Sequence, residues 1–396
     1  MREIGSEFHI DPGNGDTDLI GLLTRCAQDM GSGVRFLRCG RDSLGFIADD
    51  ITRRRRDLAG ADRIIYMPAL CCDSMVLPFT KRDYAVRYFR LRDDLSIDTG
   101  HLYSIVSDAG LADPVILVMN YYGISDTAGA KKHIRERFPG AVIIEDVTHR
   151  VLSPERFTTE DEPADYYIGS IRKWMGTPDG AFVIGPQDMA DIPEAPDSSF
   201  TRLRLQALRE KADYISSADR PQDMKDHFRS LLSDAEDSLE DGIIPAPVSE
   251  SARGLLGHMD LKTMRDRRRE NYSVLKECLL SDDLAGVMYE IAGADEDMPD
   301  CPFMLPVIMR IRAIREGARI PAGQSITRDR FENKLAARGV YAPVLWPVDA
   351  RAAEVCEVSR RFSQNMLAFY IDQRYDADDM RYVAEVFGDE LRAILG

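Results

Sequence analysis

The sequence lacks an uncharged apolar run long enough to span a bilayer, and residues 1–16 contain acidic residues and no apolar signal-peptide core. It also lacks an excess of basic residues, since 51 Lys and Arg stand against 67 Asp and Glu, a net charge of −16. Nucleic acids and anionic membranes select basic surfaces. We therefore expect a cytoplasmic protein that binds neither nucleic acid nor membrane.

Disulfide and metal-binding patterns are missing as well. The seven cysteines are scattered without C-x-x-C spacing, and an odd count in a chain of 396 residues argues against a disulfide framework. The six histidines form no H-x-x-x-H or H-E-x-x-H pair. We expect reduced thiols and no metal site.

What the sequence does contain, from about residue 60 to 185, is short apolar runs that alternate with helix-like stretches. This alternation is typical of βα units around a largely parallel sheet. The length favours one large domain and a smaller one. The predicted strands are Arg63–Met67, Ala85–Leu91, Val115–Asn120, Val142–Asp146, Tyr166–Gly169, Ala181–Ile184, Phe303–Ile311 and Val340–Leu345. The predicted helices are Leu44–Ala59, Leu255–Leu280, Arg328–Arg338 and Asp376–Leu395.

Two predicted strand ends carry reactive side chains. The strand Val142–Asp146 ends in a carboxylate, and ligands of open α/β sheets collect at the carboxyl ends of strands. After the next strand, Lys173 lies in a segment with Ser170, Trp174, two glycines and a proline, a composition that favours a buried lysine. Desolvation and the neighbouring Arg172 would lower the pKa of such an amine, which can then form a Schiff base.

A carboxylate and a Schiff-base lysine on successive strands are what pyridoxal 5'-phosphate requires, because the carboxylate keeps the pyridine nitrogen protonated. The cofactor also needs a phosphate cradle. Ser170 offers a hydroxyl, and the turn Cys39–Leu44 opens a predicted helix whose free N–H groups attract an anion. Each piece alone has an ordinary structural explanation, such as a helix cap for Asp146. Together they predict a pyridoxal phosphate site.

With these motifs the chain resembles the fold-type I pyridoxal phosphate enzymes and, within them, the DegT/StrS sugar aminotransferases. The similarity extends over nearly the whole chain. It is carried by Ile4–Phe8, Cys39–Leu44, Met67-Pro68, Asn120–Gly123, Glu145–His149, the lysine segment, Arg267–Tyr272 and Ile371–Tyr375. The resemblance implies an α/β fold with a large mixed, mostly parallel seven-stranded sheet and a smaller C-terminal α/β domain. It assigns residues 1–245 to the large domain, whose N-terminal segment can pack on the small one, and 246–396 to the small domain.

The resemblance also implies roles for individual residues. Lys173 and Asp146 are the expected catalytic residues, with Lys173 bound covalently to the cofactor and Asp146 paired with its ring nitrogen. Ser170 and the backbone of the helix start hold the phosphate, and the remaining positions lie beside the ring. The full set of expected cofactor-binding residues is Gly40, Arg41, Asp42, Cys72, Asp146, His149, Ser170 and Lys173.

Two positions depart from the family pattern. Cys72 stands where an aromatic residue usually stacks on the cofactor ring, and Ile168 stands where the phosphate-binding serine usually lies. The ring face then needs another cover, for which we favour His149 over the tyrosines at 121 and 122; an edge hydrogen bond from His149 is equally open. Trp346, bracketed by prolines, is interpreted equally as a packing residue or a substrate contact.

The expected function is transfer of an amino group from an amino acid, with glutamate as the family's usual donor, to a keto sugar. The acceptor is expected to be nucleotide-linked, for surface polysaccharide or secondary-metabolite biosynthesis, and the protein to be a homodimer. The alternatives are another fold-type I reaction (dehydration, epimerisation or elimination) and a non-catalytic binding module. An intact Lys173 and Asp146 argue against the module, because a buried charge pair is costly to keep.

Overall fold

The fold is that of an α/β protein with two sheets. The computed structural model describes residues 3–10, 13, 15–55, 63–125, 127–159, 162–239, 243–294, 298–317 and 327–395. The strands are β1 Gly33–Leu37, β2 Ile64–Pro68, β3 Ala85–Phe89, β4 Val115–Met119, β5 Val142–Asp146, β6 Tyr166–Ser170, β7 Ala181–Gly185, β8 Tyr289–Ile291, β9 Leu305–Met309 and β10 Met366–Phe369.

Helices cover both faces of the larger sheet and surround the smaller one. They are α1 Leu19–Asp29, α2 Gly40–Arg54, α3 Asp73–Thr80, α4 Thr99–Asp108, α5 Ala128–Arg137, α6 Pro154–Thr158, α7 Ser199–Ser216, α8 Gln222–Asp237, α9 Glu250–Leu256, α10 Leu261–Leu280, α11 Ile311–Gly317, α12 Arg328–Ala337, α13 Ala350–Val355, α14 Glu357–Asn365 and α15 Ala377–Leu395. Within the described ranges, no helix is both long and apolar enough to cross a membrane.

The larger sheet has seven strands in the order β1-β7-β6-β5-β4-β2-β3. The five strands from β6 to β3 run parallel, whereas β7 pairs antiparallel with both β6 and β1. The central strand β4 is apolar and buried along its whole length, as expected for a strand with helices on both faces. The predicted mixed, mostly parallel seven-stranded sheet is confirmed. The register places Met119 beside Asp146 and Asp146 beside Ile168, so the ends of β4, β5 and β6 meet at one edge.

The smaller sheet is antiparallel, in the order β10-β9-β8. It packs with α10, α12 and α15 around a second apolar core. Ile4 belongs to this core and forms a parallel bridge with Val340, with hydrogen bonds of 2.8 Å to Gly339 O and 2.9 Å from Tyr341 N. The N-terminal segment thus packs beside the C-terminal region. The division into domains at residue 245 stays a prediction.

Several predicted elements differ from the observed ones. The strand predicted at Val340–Leu345 is wrong: beyond the Val340 bridge this segment has no strand partner, and Pro343 lacks the N–H that a ladder needs. The helix predicted at Leu255–Leu280 is two helices, because the chain turns after Gly257 and Asp260 caps α10 through the Thr263 N–H at 2.9 Å. The strand β1 was not predicted at all.

Candidate active site

The predicted site residues converge on a cavity at the carboxyl edge of the large sheet. Asp146 ends β5, Ser170 ends β6, and Lys173 closes the 3-10 turn that follows. The cavity has about 450 Å³ of space free of protein atoms, part of it open to solvent. It is lined by Cys39, Gly40, Arg41, Leu44, Cys72, Ser74, Met75, Met119, Asp146, Thr148, Ile168, Ser170, Arg172, Lys173 and Trp346. Six predicted positions therefore meet there: Gly40, Arg41, Cys72, Asp146, Ser170 and Lys173.

One end of the cavity combines a helix N-terminus with a hydroxyl. The helix α2 begins at Gly40, and a Cβ built on Gly40 would lie 3.6 Å from the Ser170 Cβ and 4.0 Å from its Oγ. Cys39, at the N-cap position, is extended and its side chain makes no cap hydrogen bond. The first N–H groups of α2 and the Ser170 side chain are thus close together. A helix N-terminus of this kind favours anions such as phosphate.

Asp146 forms the acidic part of the cavity wall. The residue is 4% exposed, and its Oδ1 accepts a 2.8 Å hydrogen bond from the Thr148 N–H. Burial raises the pKa of the Asp146 carboxyl above its usual value, while the Thr148 hydrogen bond and the charge of Lys173 act in the opposite direction. Asp146 is therefore a desolvated carboxylate that a positively charged group in the cavity would stabilise.

Lys173 lies on the same cavity and is held by the rigid loop that follows it. The Lys173 Nζ is 5.8 Å from the centroid of the Trp346 indole. Trp174 is fully buried and its Nε1 donates to Thr148 O at 2.6 Å. The carbonyl of Trp174 accepts from Gln373 at 2.9 Å, and the Arg268 guanidinium lies 4.4 Å over its indole. The lysine backbone is thereby fixed between the β5 turn and the C-terminal region.

Two predicted residues do not line the cavity. The Asp42 carboxylate is 1% exposed and binds Arg38 through hydrogen bonds of 2.8 and 3.0 Å, although its residue lies in the first turn of α2. His149 is fully buried behind the cavity wall. Its Nδ1 accepts from the Tyr122 N–H at 3.0 Å, so the proton of the neutral ring is on Nε2.

The His149 ring is part of an aromatic stack. Its centroid lies 4.2 Å from that of Phe303 and 5.6 Å from that of Trp346, with interplanar angles of 15° and 16°. The Tyr122 ring is 5.2 Å away at 25°. Burial, and secondarily the charge of Lys173, lower the pKa of His149 well below its usual value. In this stack Trp346, and not His149, lines the cavity.

Two arginine side chains at the cavity share one acidic partner that the sequence did not reveal. Arg172 binds Glu236 of α8 at 2.8 and 3.3 Å, and Arg41 reaches the same carboxylate at 3.4 Å. Burial alone would raise the pKa of Glu236, but the surrounding arginines lower it overall. Arg172 was predicted only as a cationic neighbour of Lys173. No local signal marks Glu236, because it lies in a charge-rich helix distant in sequence.

Cys72 lines the cavity, but its side chain has no aromatic ring on which a cofactor could stack. Its Sγ lies 2.8 Å from Ser74 Oγ at the start of α3. All seven cysteines are free thiols. Among the described residues, no group of three or more His, Cys, Asp or Glu side chains could hold a metal ion.

Among known proteins, solved structures share the fold of this chain. No protein-family model matches the chain, and no curated protein matches it. DesI, solved in the presence of its TDP-sugar product, has a TM-score of 0.61 and 14% identity over 96% of this chain and 86% of DesI. PseC from Helicobacter pylori, an aminotransferase involved in the biosynthesis of pseudoaminic acid, has a TM-score of 0.63 and 10% identity over 99% of this chain and 100% of PseC. Spr1654 from Streptococcus pneumoniae, solved in its PLP form, has a TM-score of 0.60 and 12% identity over 99% and 94%.

These neighbours confirm the predicted fold class, since they cover nearly the whole chain and include structures of aminotransferases. At 10–14% identity the likeness shows the fold and not the reaction.

Proposed function

We propose that the protein is a pyridoxal phosphate-dependent aminotransferase that transfers an amino group from an amino acid to a keto sugar. The observation that carries this proposal is the single cavity shared by Lys173, Asp146, Ser170 and the N-terminus of α2. The fold of the solved neighbours, one of them in its PLP form, supports it. Function is argued here from the site, because one fold supports many reactions.

The residues at the cavity fit the cofactor. The lysine amine suits its aldehyde, the buried carboxylate suits a protonated ring nitrogen, and the hydroxyl with the helix N-terminus suits its phosphate. Gly40 contributes to this fit, because a Cβ built on it would lie 3.6 Å from the Ser170 Cβ and would take up space beside the Ser170 hydroxyl. When bound, pyridoxal phosphate supplies an electron sink for negative charge next to the amino nitrogen.

Each side chain then has a defined task. Asp146, desolvated and held by the Thr148 N–H, keeps a proton on the ring nitrogen by its negative charge. The Lys173 amine would hold the cofactor and, as a free base, would accept the proton from the α-carbon of the amino-acid donor. Arg41 and Arg172 add positive charge near the phosphate end, and Glu236 keeps them in place.

The substrates are proposed more specifically from the neighbours. DesI was solved in the presence of its TDP-sugar product, and PseC is an aminotransferase involved in the biosynthesis of pseudoaminic acid, so we propose a nucleotide-linked keto sugar as the acceptor. Glutamate is the proposed donor. We also propose a cytoplasmic homodimer and a role in surface polysaccharide or secondary-metabolite biosynthesis.

Absorbance spectroscopy tests the cofactor assignment. The purified protein mixed with pyridoxal phosphate should develop the visible band of a lysine-bound cofactor, and borohydride should abolish it. The Lys173→Ala variant should fold, lack that band and have no turnover, whereas the Lys132→Ala control, at an exposed lysine, should behave as wild type. A band that persists in Lys173→Ala would contradict the assignment.

Addition of L-glutamate then tests the reaction. An aminotransferase should release 2-oxoglutarate in one equivalent per site and convert the cofactor to the pyridoxamine form. Subsequent addition of keto-sugar nucleotides should restore the original band for the natural acceptor. A lysine-bound cofactor that no amino acid converts would favour the alternative reactions of this fold.

A further inference from the structure

The cavity has one flat apolar wall, and it is not where the family pattern predicts it. The position after Pro68 that usually carries an aromatic residue is Cys72. Among the residues that line the cavity, Trp346 is the sole aromatic one. Trp346 belongs to the apolar core around the large sheet and lies in the segment that follows Val340.

The indole of Trp346 is held by packing on its protein side. It is 8% exposed and nearly parallel to the His149 ring, at 16°, with the stack continued by Phe303. Tyr121 contacts it edge-on, with centroids 6.4 Å apart at 60°. Trp346 also lines the cavity, and the Lys173 Nζ lies over its ring, 5.8 Å from the centroid.

The backbone around Trp346 is fixed by hydrogen bonds to the scaffold. Leu345 O accepts from the Tyr122 hydroxyl at 3.0 Å, and Pro343 O accepts from the Ala368 N–H of β10 at 2.9 Å. On the other side, the Val348 N–H donates to Ser363 Oγ at 3.1 Å. The indole therefore belongs to a rigid wall and not to a free loop.

We propose that Trp346 is the positioning residue on which the pyridine ring of the cofactor packs. This inference rests on the proposed function. Lys173 Nζ lies 5.8 Å from the indole centroid, so a planar group attached to that amine is within contact range of the ring. An aromatic surface excludes water from one face of the cofactor and adds stacking energy beyond simple burial. His149 acts behind it as the support that fixes the plane of the indole.

The test compares cofactor affinity in variants that keep or remove a flat ring. Trp346→Phe should bind pyridoxal phosphate within about threefold of wild type, whereas Trp346→Leu should bind roughly tenfold more weakly. The induced circular dichroism of the cofactor band should change in Trp346→Leu, because the ring loses its asymmetric wall. Phe331→Leu, in the second core and 1% exposed, controls for a general loss of packing and should keep the wild-type affinity and dichroism.

The outcomes separate this inference from the proposed function. If wild type forms no lysine-bound cofactor, the proposed function fails and the inference falls with it. If wild type binds and Trp346→Leu binds equally well with an unchanged dichroism, the inference alone is wrong. Should Trp346→Leu not fold, Trp346→Met against Trp346→Phe provides the same contrast between an unbranched and a flat side chain.

Discussion

Two neighbouring carboxylates, Glu145 and Asp146, lie on opposite faces of the large sheet and have opposite surroundings. Glu145 is fully buried and binds Lys131 at 2.6 Å and the Thr127 hydroxyl at 2.7 Å, both from the start of α5. Asp146 is 4% exposed, accepts from a backbone N–H and faces the cavity with Lys173. Successive side chains of a strand point to opposite faces of the sheet, so these two adjacent residues lie in different environments.

The two buried carboxylates differ in whether the protein itself satisfies their charge. The carboxylate of Glu145 is satisfied by the protein itself, so its charge contributes to the fold. Burial raises the pKa of Asp146, and the Thr148 hydrogen bond and the charge of Lys173 offset only part of this rise. Its charge is therefore available to a ligand, at a cost to the unliganded fold.

The largest expected effect on stability comes from substituting the ion-pair partner of Glu145. Lys131→Met removes the nearer of two cations from the buried Glu145 carboxylate, the other being Arg150 at 3.6 Å, and should lower the free energy of unfolding by about 2–3 kcal/mol. Guanidinium chloride unfolding measures this loss, with Lys132→Met at the adjacent exposed position as the control that changes little. A loss below about 1 kcal/mol would mean that Arg150 compensates the Glu145 charge without Lys131.

On the other face, Asp146→Asn should cost activity instead of stability. The amide cannot hold a ring proton by charge, so the rate of transamination should fall by about 100-fold or more. The pKa of Asp146 is raised in the fold, so above about pH 4 the ionised acid disfavours folding, and the cost grows as the pH rises toward the folded-state pKa. The unliganded variant should therefore melt at the wild-type temperature or higher.

Calorimetry of the cofactor-free protein gives this comparison, with Glu145→Gln as its matched counterpart. Glu145→Gln should lower the melting temperature, since the amide cannot form the 2.6 Å ion pair that Glu145 makes with the buried Lys131. If Asp146→Asn destabilised the cofactor-free protein as much as Glu145→Gln, the contrast between the two faces would be wrong.

The smallest expected effect concerns His149, behind the cavity wall. Its pKa is lowered well below the usual 6.5, so the fold favours the neutral ring. Stability from this residue is present above pH 6.5 and is lost as the pH falls below it, at up to about 1.4 kcal/mol per pH unit. Urea unfolding between pH 7.5 and 5.5 should show a shallower decline for His149→Phe than for wild type.

The exposed His133 is the control for that experiment, and His133→Gln should leave the decline unchanged. An equal slope in His149→Phe and wild type would show that the buried ring does not resist protonation. His149→Phe also tests the role predicted for His149 at the cofactor. Retained cofactor affinity fits a support or stacking role, whereas a loss of cofactor affinity fits an edge hydrogen bond.

The elements that were predicted correctly are those determined by local sequence patterns. The strand β4 is a continuous apolar run and β5 begins with three apolar residues. The reactive residues Asp146, Ser170 and Lys173 lie at or just after strand ends, where a parallel sheet brings them to one edge. Boundaries were less accurate. The predicted helix Leu44–Ala59 begins at Gly40 and ends at Arg54, and part of its predicted end lies outside the described residues.

The sequence by itself indicated a largely parallel α/β sheet and placed Asp146, Ser170 and Lys173 at or after strand ends, because the strands and their ends follow from local hydrophobic patterns. Only the tertiary structure decided that Asp42 binds Arg38, that Arg41 and Arg172 share Glu236, and that Trp346 lines the cavity in front of His149. Most of these contacts join residues far apart in the chain. Which side chain forms a given wall of the cavity depends on how segments distant in the chain pack together, and a local sequence pattern does not encode that packing.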